Sequence, residues 1–244
     1  YAKTARLHSR FVIDNSSAFR LKKDIPLVIP EINFTLPTNI NLISNPNCST
    51  AICAIPLYLL NKYYGLKRIR ICTYQSVSGS GKKGLAALDG VKSDIYKYDI
   101  RATCIPQIGE FDKYNYTTEE NKLRDELRKI LSVPYLPISS TCVRVPVKHC
   151  HALAVSAVLK NSYDIKDILS IFESTKSLTV LDSPEDSIYP VSTIGAHSNQ
   201  VYIGRIRNDQ AEENSILFYV LSDNLRRGAA FNAYQIIKTI TEQQ

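Results

Sequence analysis

Asn45-Pro46-Asn47-Cys48-Ser49-Thr50 is the stretch on which the reading of the whole chain turns. Upstream of it, Leu27-Val28-Ile29-Pro30 and Ile40-Asn41-Leu42-Ile43 read as short buried strands. Downstream, Ala51 to Tyr63 is apolar enough to form a core helix. Pro46 and Asn47 break the strand, and Ser49 and Thr50 are polar enough to open the helix. Cys48 is therefore predicted at a helix N-terminus, where unpaired N–H groups and the helix dipole favour a thiolate. Cysteines so placed have pKa values of about 3.5–7.5, against about 8.5 for a free thiol. A small buried core thiol is the competing reading of the same position.

Working outward, Arg10 to Asp14 reads as a strand, followed by a polar loop, Asn15 to Arg20, that ends in a cation. Beyond the Cys48 helix, Lys67 to Tyr74 alternates, with Ile69, Ile71 and Thr73 on one side and Arg68, Arg70 and Cys72 on the other. The glycine-rich loop Ser78-Gly79-Ser80-Gly81 follows, then a helix over Lys82 to Leu88. Thr117 with Glu120 three residues later is a capping-box signature for a charged helix to Leu131. Ser139 to Val147 reads as a strand, and Cys150 to Leu159 and Ile165 to Phe172 as helices. Strands are predicted at Leu178–Leu181, Val201–Ile206 and Ile216–Leu221, and a last helix from about Asn224 to Thr241. Strands and helices mix throughout, which predicts an α/β or α+β class with a sizeable sheet.

The chain has 244 residues, room for one large domain or two modest ones. No apolar run approaches the roughly 18 residues that a membrane span needs, and Tyr1 to Arg10 lacks the apolar core of a signal peptide. The net charge is +7. Its Lys and Arg residues are scattered rather than gathered into a stripe, which argues against a nucleic-acid partner. They suit an enzyme that handles phosphate and carboxylate groups. Six cysteines show no metal spacing and lie mostly in apolar segments, as reduced cytosolic thiols do. The sequence contains no Met and opens at Tyr1, so a fragment or processed chain is expected.

Gly79-Ser80-Gly81-Lys82-Lys83-Gly84 matches GxGxxG between a strand and a helix. A dinucleotide fingerprint needs the turn directly at the strand end, and Gln75-Ser76-Val77-Ser78 intervene. Lys83 stands where a phosphate loop needs Ser or Thr. The loop can still approach a cofactor with bare backbone. A reactive cysteine needs a proton partner and a way to hold charge. Arg144 leaves a predicted strand, and His151 begins a predicted helix seven residues later, so both can face one pocket. A guanidinium clamps a carboxylate bidentately, and an imidazole takes and returns a proton. A surface cation and a capping histidine are the bland alternatives.

Several phrases, in this order and spacing, resemble the aspartate-semialdehyde dehydrogenase family. They are Val12 to Arg20, Val28 to Asn33, Asn45 to Thr50, Thr73 to Gly81, Glu119 to Lys122, Arg144 to Val147 with His151, and Gly204 to Arg207. The resemblance implies Cys48 as nucleophile, His151 as acid/base and Gln75 as the residue that orients the acyl intermediate. It implies Arg144 on the substrate α-carboxylate and Glu119 on the α-ammonium. Arg20 and Lys122 match the phosphate site, with Asn47 nearby. Ser78, Gly79, Ser80 and Gly81 match the loop beside the nicotinamide of NADP, and Asn224 the cofactor-side entry to the final helix. Cys150 replaces a glycine that many members carry before the histidine.

The family's fold would then be the later part of a Rossmann-type nucleotide-binding domain (residues 1–46), followed by an α+β catalytic and dimerisation domain with a large mixed sheet (47–223). Residues 224–244 would form a helix returning to the first domain. The expected activity is reduction of L-aspartyl 4-phosphate to L-aspartate 4-semialdehyde in lysine, threonine and methionine biosynthesis, by a cytoplasmic homodimer or homotetramer. Members begin with about eighty more residues bearing a nucleotide loop, so these residues alone are expected to be nearly inactive. An N-acetyl-glutamyl-phosphate reductase and a non-catalytic interaction module are the other readings. Arg144 and Glu119 argue against the former, since an acetylated amine needs no carboxylate partner.

Overall fold

The computed structural model describes residues 1–35 and 41–243, so Ile40, at the head of a predicted strand, and Gln244 lie outside it. Helix α1 (Ala2–His8) leads into β1 (Val12–Asp14). A short helix, α2 (Pro30–Asn33), precedes β2 (Leu42–Ser44), which pairs in parallel with β1. The strand expected at Leu27–Pro30 does not form: Leu27 makes one isolated parallel bridge to Ser44, and Ile29 caps α2. Pro30 explains this, because it lacks the N–H that a ladder needs and suits the first position of a helix.

Next come α3 (Cys48–Tyr64) and β3 (Leu66–Gln75), whose buried and exposed positions alternate as predicted. A 3-10 turn, Val77–Ser80, enters α4 (Gly81–Leu88). The capping box of Thr117 and Glu120 is formed and opens α5 (Thr118–Ile130). Then follow β4 (Ile138–Arg144), β5 (His151–Leu159), α6 (Ile165–Glu173), β6 (Leu178–Val180), α7 (Ser192–Gly195), β7 (Val201–Asn208) and β8 (Ser215–Ser222). A single π turn, Arg226–Ala230, precedes α8 (Phe231–Glu242).

The main sheet has the order β4-β3-β5-β8-β7-β6 among the described residues. β4 and β6 run parallel to their neighbours and the inner pairings are antiparallel, so the sheet is mixed. The segment expected as a helix from Cys150 is β5, the strand between β3 and β8. Leu153, Val155, Ala157 and Leu159 face the core. The opposite positions are Ala152, Ala154 and Ser156, small residues that hide the period-two pattern and read as helix formers. Pairing on both edges overrides that propensity.

Helices α3, α5 and α6 cover one face of the sheet, where Ile52, Leu57, Leu123, Leu127 and Phe172 meet Ile69, Leu153 and Phe218. Ile236 and Ile240 of α8 pack with Val28 and Ile43 beside the β1–β2 pair. The other face of the main sheet is covered at one end, where α7 and Ala196 pack on Cys150, Ala152 and Leu221, and is open elsewhere. A shallow cavity of about 300 Å³ there is lined by Arg70, Cys72, Ala154, Ser156, Leu217 and Tyr219. The architecture is α/β, a Rossmann-type parallel unit followed by a large mixed sheet. No helix among the described residues is long and apolar enough to cross a membrane.

Candidate active site

One rung of the main sheet carries three candidate residues. Gln75, the end of β3, pairs with Arg144, the end of β4, and with His151, the start of β5. The pleat turns all three toward the helix-covered face, where each is buried. His151 thus enters the site from a strand, not from the helix start expected for it. Cys48 opens α3, which packs on the same face. The cap is Asn47 rather than Ser49 or Thr50: its Oδ1 accepts from Ser49 N–H at 2.9 Å and Thr50 N–H at 3.4 Å.

Asn47 also ties the cap to α5. Its Nδ2 donates to Glu119 Oε1 at 2.9 Å, and Gln75 Nε2 donates to the same oxygen at 3.2 Å. Lys122 Nζ lies 3.6 Å from Glu119 Oε2. The Asn47 N–H donates to Glu126 Oε2 at 2.6 Å, while Arg20 Nη1 donates to Glu126 Oε1 at 3.0 Å. Cys48, Gln75, His151, Arg144, Glu119, Lys122, Arg20, Asn47 and Gly79 all line one cavity of about 310 Å³. Gly79 is required by contact, since a Cβ there would come 2.9 Å from Arg144 Nη1 and 3.0 Å from His151 Nε2.

The remaining candidates lie beside this cavity. Ser78 and Asn224 are buried and hydrogen-bonded to each other, Ser78 Oγ donating to Asn224 Oδ1 at 3.1 Å. Ser80 Oγ accepts from the Tyr96 hydroxyl at 2.8 Å. Gly81, at φ +69°, has open space where a Cβ would sit.

Burial dominates the electrostatics. The Cys48 thiol is pushed up to about 12, first by desolvation and then by Glu119, against smaller opposing pulls from Arg144, the Ser49 N–H and Arg20. This loss of water opposes the helix terminus, which favours the thiolate. His151 is pushed down to about 3, by desolvation and then by Arg144, and is neutral near pH 7. Its Nε2 is buried without a hydrogen-bond partner among the described residues.

Three residues of the site had no sequence signal strong enough to single them out. Ser76 follows the rung and touches both His151 and Arg144. Glu126 is a buried carboxylate on α5, one helical face along from Glu119, and bridges Arg20 to the Cys48 loop. Gly228 lies against Cys48, where a Cβ would approach the Cys48 Cβ to 2.9 Å. The i, i+7 spacing of Glu119 and Glu126 on an amphipathic helix was the available clue to the second of these.

Comparison with known proteins places the chain in a family. Residues 57–227 match the family described as semialdehyde dehydrogenase, dimerisation domain. The aspartate-semialdehyde dehydrogenase of Helicobacter pylori is 35% identical over 257 residues, covering 96% of this chain and 73% of that protein. That of Bacillus subtilis is 36% identical over 248 residues, covering 94% and 72%. The crystal structure of aspartate semialdehyde dehydrogenase II from Vibrio cholerae complexed with ASA has a TM-score of 0.93 at 35% identity, over 99% of this chain and 75% of that one. The structure of the Candida albicans enzyme with NADP shares the fold, with a TM-score of 0.74 at 23% identity over 95% of this chain and 70% of that one. With its cysteine, histidine and cations gathered on one cavity and its relatives matched over nearly its whole length, this chain belongs to the aspartate-semialdehyde dehydrogenase family.

Proposed function

We propose that the protein catalyses the reversible, NADP-dependent reductive dephosphorylation of L-aspartyl 4-phosphate to L-aspartate 4-semialdehyde, through a thioester on Cys48, in lysine, threonine and methionine biosynthesis. The observation that carries this reading is the single cavity shared by Cys48, His151, Arg144 and the Arg20–Lys122 cations. An aminoacyl phosphate has a carboxylate, an ammonium and a phosphate, and the cavity offers a group for each. Arg144 spends Nη1 on the Ser76 carbonyl at 2.6 Å and retains other N–H groups for a carboxylate. Glu119 is the carboxylate that takes the ammonium. Arg20 and Lys122, beside Asn47, take the phosphate.

Cys48 passes its proton to His151 and attacks the acyl carbon, the carbon–oxygen bond to phosphate breaks, and phosphate departs toward Arg20 and Lys122. Gln75 orients the resulting thioester. Bound NADPH supplies a hydride. The alkoxide that reduction leaves on the thioester carbon is held at His151 Nε2, and its collapse breaks the carbon–sulfur bond, releasing the aldehyde and a Cys48 thiolate. A thiolate suits both steps because it attacks and leaves well. The residues fit the cofactor's nicotinamide end: Gly79 presents backbone without side chain beside Arg144 and His151, a cradle that a Cβ there would fill, and Gly81 leaves open space where a Cβ would sit. Ser78, Ser80 and Asn224 would complete it.

The packing of α8 on the β1–β2 pair supports a division into residues 1–46, 47–223 and 224–244, the last returning to the first. The open part of the sheet face supports a homodimer or homotetramer, and six free thiols support a cytoplasmic setting. The test is phosphate-dependent oxidation of L-aspartate 4-semialdehyde with NADP, set beside the N-acetyl-glutamyl semialdehyde. The first aldehyde should turn over. Arg144→Leu should raise its KM by the equivalent of about 2–5 kcal/mol, as for a lost buried charge pair. Turnover of the acetylated aldehyde alone, or a normal KM in that variant, would overturn the assignment.

A further inference from the structure

Helix α5 meets the loops around the site through one stripe of side chains. Glu119, Lys122, Glu126 and Lys129 recur at alternating short helical spacings, which places them on one face of the helix. Glu119 and Lys122 line the cavity, and Glu126 bridges Arg20 to the Cys48 loop. Lys129, in the last turn, is not among the residues that line the cavity. Its ammonium donates to three main-chain carbonyls of the loop that follows β1: Arg20 at 2.8 Å, Lys22 at 2.7 Å and Ile25 at 2.7 Å. An ammonium carries three hydrogens, so this tripod uses them all, and a neutral amine could not complete it. Burial pulls the Lys129 pKa below the ordinary lysine value, and hydrogen bonds to the charged form pull the other way.

The loop so held carries Arg20. Its own backbone bonds there run from the Lys22 N–H to the Phe19 carbonyl at 3.0 Å and from the Ile25 N–H to the Lys22 carbonyl at 3.3 Å. The guanidinium is secured separately. Nη1 donates to Glu126 Oε1 at 3.0 Å and Nη2 to the Asn15 carbonyl at 2.7 Å. One hydrogen on each of these nitrogens remains for an anion. Glu126 and Lys129, one turn apart on α5, therefore grip the side chain and the main chain of the same residue. Glu126 also accepts from the Asn47 N–H at 2.6 Å, so the same helix spaces Arg20 from the Cys48 loop.

We propose that Lys129 is the positioning residue of the phosphate site: its ammonium gathers the carbonyls of Arg20, Lys22 and Ile25 and so fixes the backbone from which Arg20 reaches the phosphate. This rests on the reaction assigned above, in which phosphate departs toward Arg20 and Lys122. Lys129 acts through Arg20 and from outside the cavity. A loop ordered before phosphate arrives spends less binding energy on ordering itself. Arg144 and His151 stand on β4 and β5, so the effect should fall on phosphate and spare the aldehyde.

Two variants test this. Lys129→Met keeps a long side chain and removes every donor. Lys129→Arg keeps the charge, but its planar fork cannot close a tripod on three carbonyls. Binding of inorganic phosphate, measured by titration calorimetry without turnover, should weaken roughly 10-fold in Lys129→Met, the scale of one lost charged hydrogen bond. Lys129→Arg should be weakened too, by a smaller factor. In phosphate-dependent oxidation of L-aspartate 4-semialdehyde, the KM for phosphate should rise in step, while the KM for the aldehyde changes by less than about twofold. Hydrogen exchange in Lys129→Met should quicken in peptides spanning residues 16–25 and stay unchanged over 118–125. Equal rises in the two KM values would mark a general loosening and overturn the proposal. Undiminished phosphate affinity in Lys129→Met would overturn it, as would a wild type that binds no phosphate. Wild-type affinity in Lys129→Arg would make Lys129 a distant charge and overturn the tripod. Phosphate binding that weakens in Lys129→Met, in a protein that leaves the aldehyde untouched, would overturn the assigned reaction and uphold the clamp.

Discussion

At Cys48, burial and the carboxylate of Glu119 keep the proton on sulfur, and Arg144 and Arg20 oppose them without prevailing. A thiol held up to about 12 reacts only through the small fraction that ionises, and that fraction grows tenfold with each pH unit. Alkylation of the protein in buffer without substrate should therefore be slower than that of a free thiol near neutral pH. It should also keep rising between about pH 7 and 10, where a free thiol with a pKa of about 8.5 levels off. The signs of the neighbours are fixed. Glu119→Gln removes a charge that raises the pKa and should speed alkylation, whereas Arg144→Leu removes one that lowers it and should slow alkylation. Iodoacetamide rates against pH, with Cys48→Ala as the blank, read both. A fast, pH-independent reaction at neutral pH would show that the thiolate is the resting form. At this scale the sequence displayed which side chains gather on one cavity but not their charge. Helix position is visible along a chain, while desolvation depends on what packs over the thiol.

The elements separate into those specified locally and those specified by partners. The start of α5 is local. Thr117 Oγ1 accepts from Glu120 N–H at 3.3 Å, and Glu120 Oε2 accepts from Thr117 N–H at 2.7 Å. Both bonds were legible in four residues of sequence. Strand β5 is the opposite case: alternating alanines outside and aliphatic residues inside become a strand only because β3 and β8 flank it. Leu27 to Pro30 reads as a strand until the proline at its end is given its weight. The capping box has a further bond that no local pattern shows, since Glu120 Oε1 also accepts from the Cys142 N–H of β4 at 3.1 Å. Thr117→Ala should thus cost about 1 kcal/mol, the usual loss for a helix cap. Glu120→Ala should cost more, because it also leaves a buried strand N–H without an acceptor. Urea denaturation midpoints at unchanged slope check the order. Equal losses in the two variants would place the Cys142 bond outside the stability of the protein.

For the molecule as a whole, the sheet has one face filled by helices and one that is not. Tyr74 and Tyr219 stand on the open face with ring centroids 6.3 Å apart, beside Cys72 and Leu217. Half-buried aromatics on a broad sheet surface are what a self-complementary interface uses at its centre. Placing a charge there, as Tyr219→Asp does, should shift the protein toward monomers in sedimentation velocity while leaving its far-UV circular dichroism unchanged. A dimer that persists in this variant would put the interface elsewhere. The mixed class and the large sheet were legible from the order of apolar runs. The strand order was not, because it follows from long-range pairing that no window of sequence contains.

The rung that joins Arg144, Gln75 and His151 makes the site a parity check on the chain. Alternate residues of a strand point to opposite faces, so one residue inserted within β3 below Gln75 would turn Gln75 away from Arg144 and His151 unless the neighbouring ladders slipped with it. Two inserted residues would restore the face but displace Gln75 by about 6.6 Å along the sheet, given a rise of roughly 3.3 Å per residue. Neither outcome leaves a working centre. An odd insertion has one refuge, the irregularity between Leu66 and Arg68, where the β3–β5 register already absorbs a step. Length variation in this strand should therefore be tolerated at its far end and nowhere nearer the chemistry, and enzymatic activity doubles as a readout of whether the strands have been counted correctly during folding.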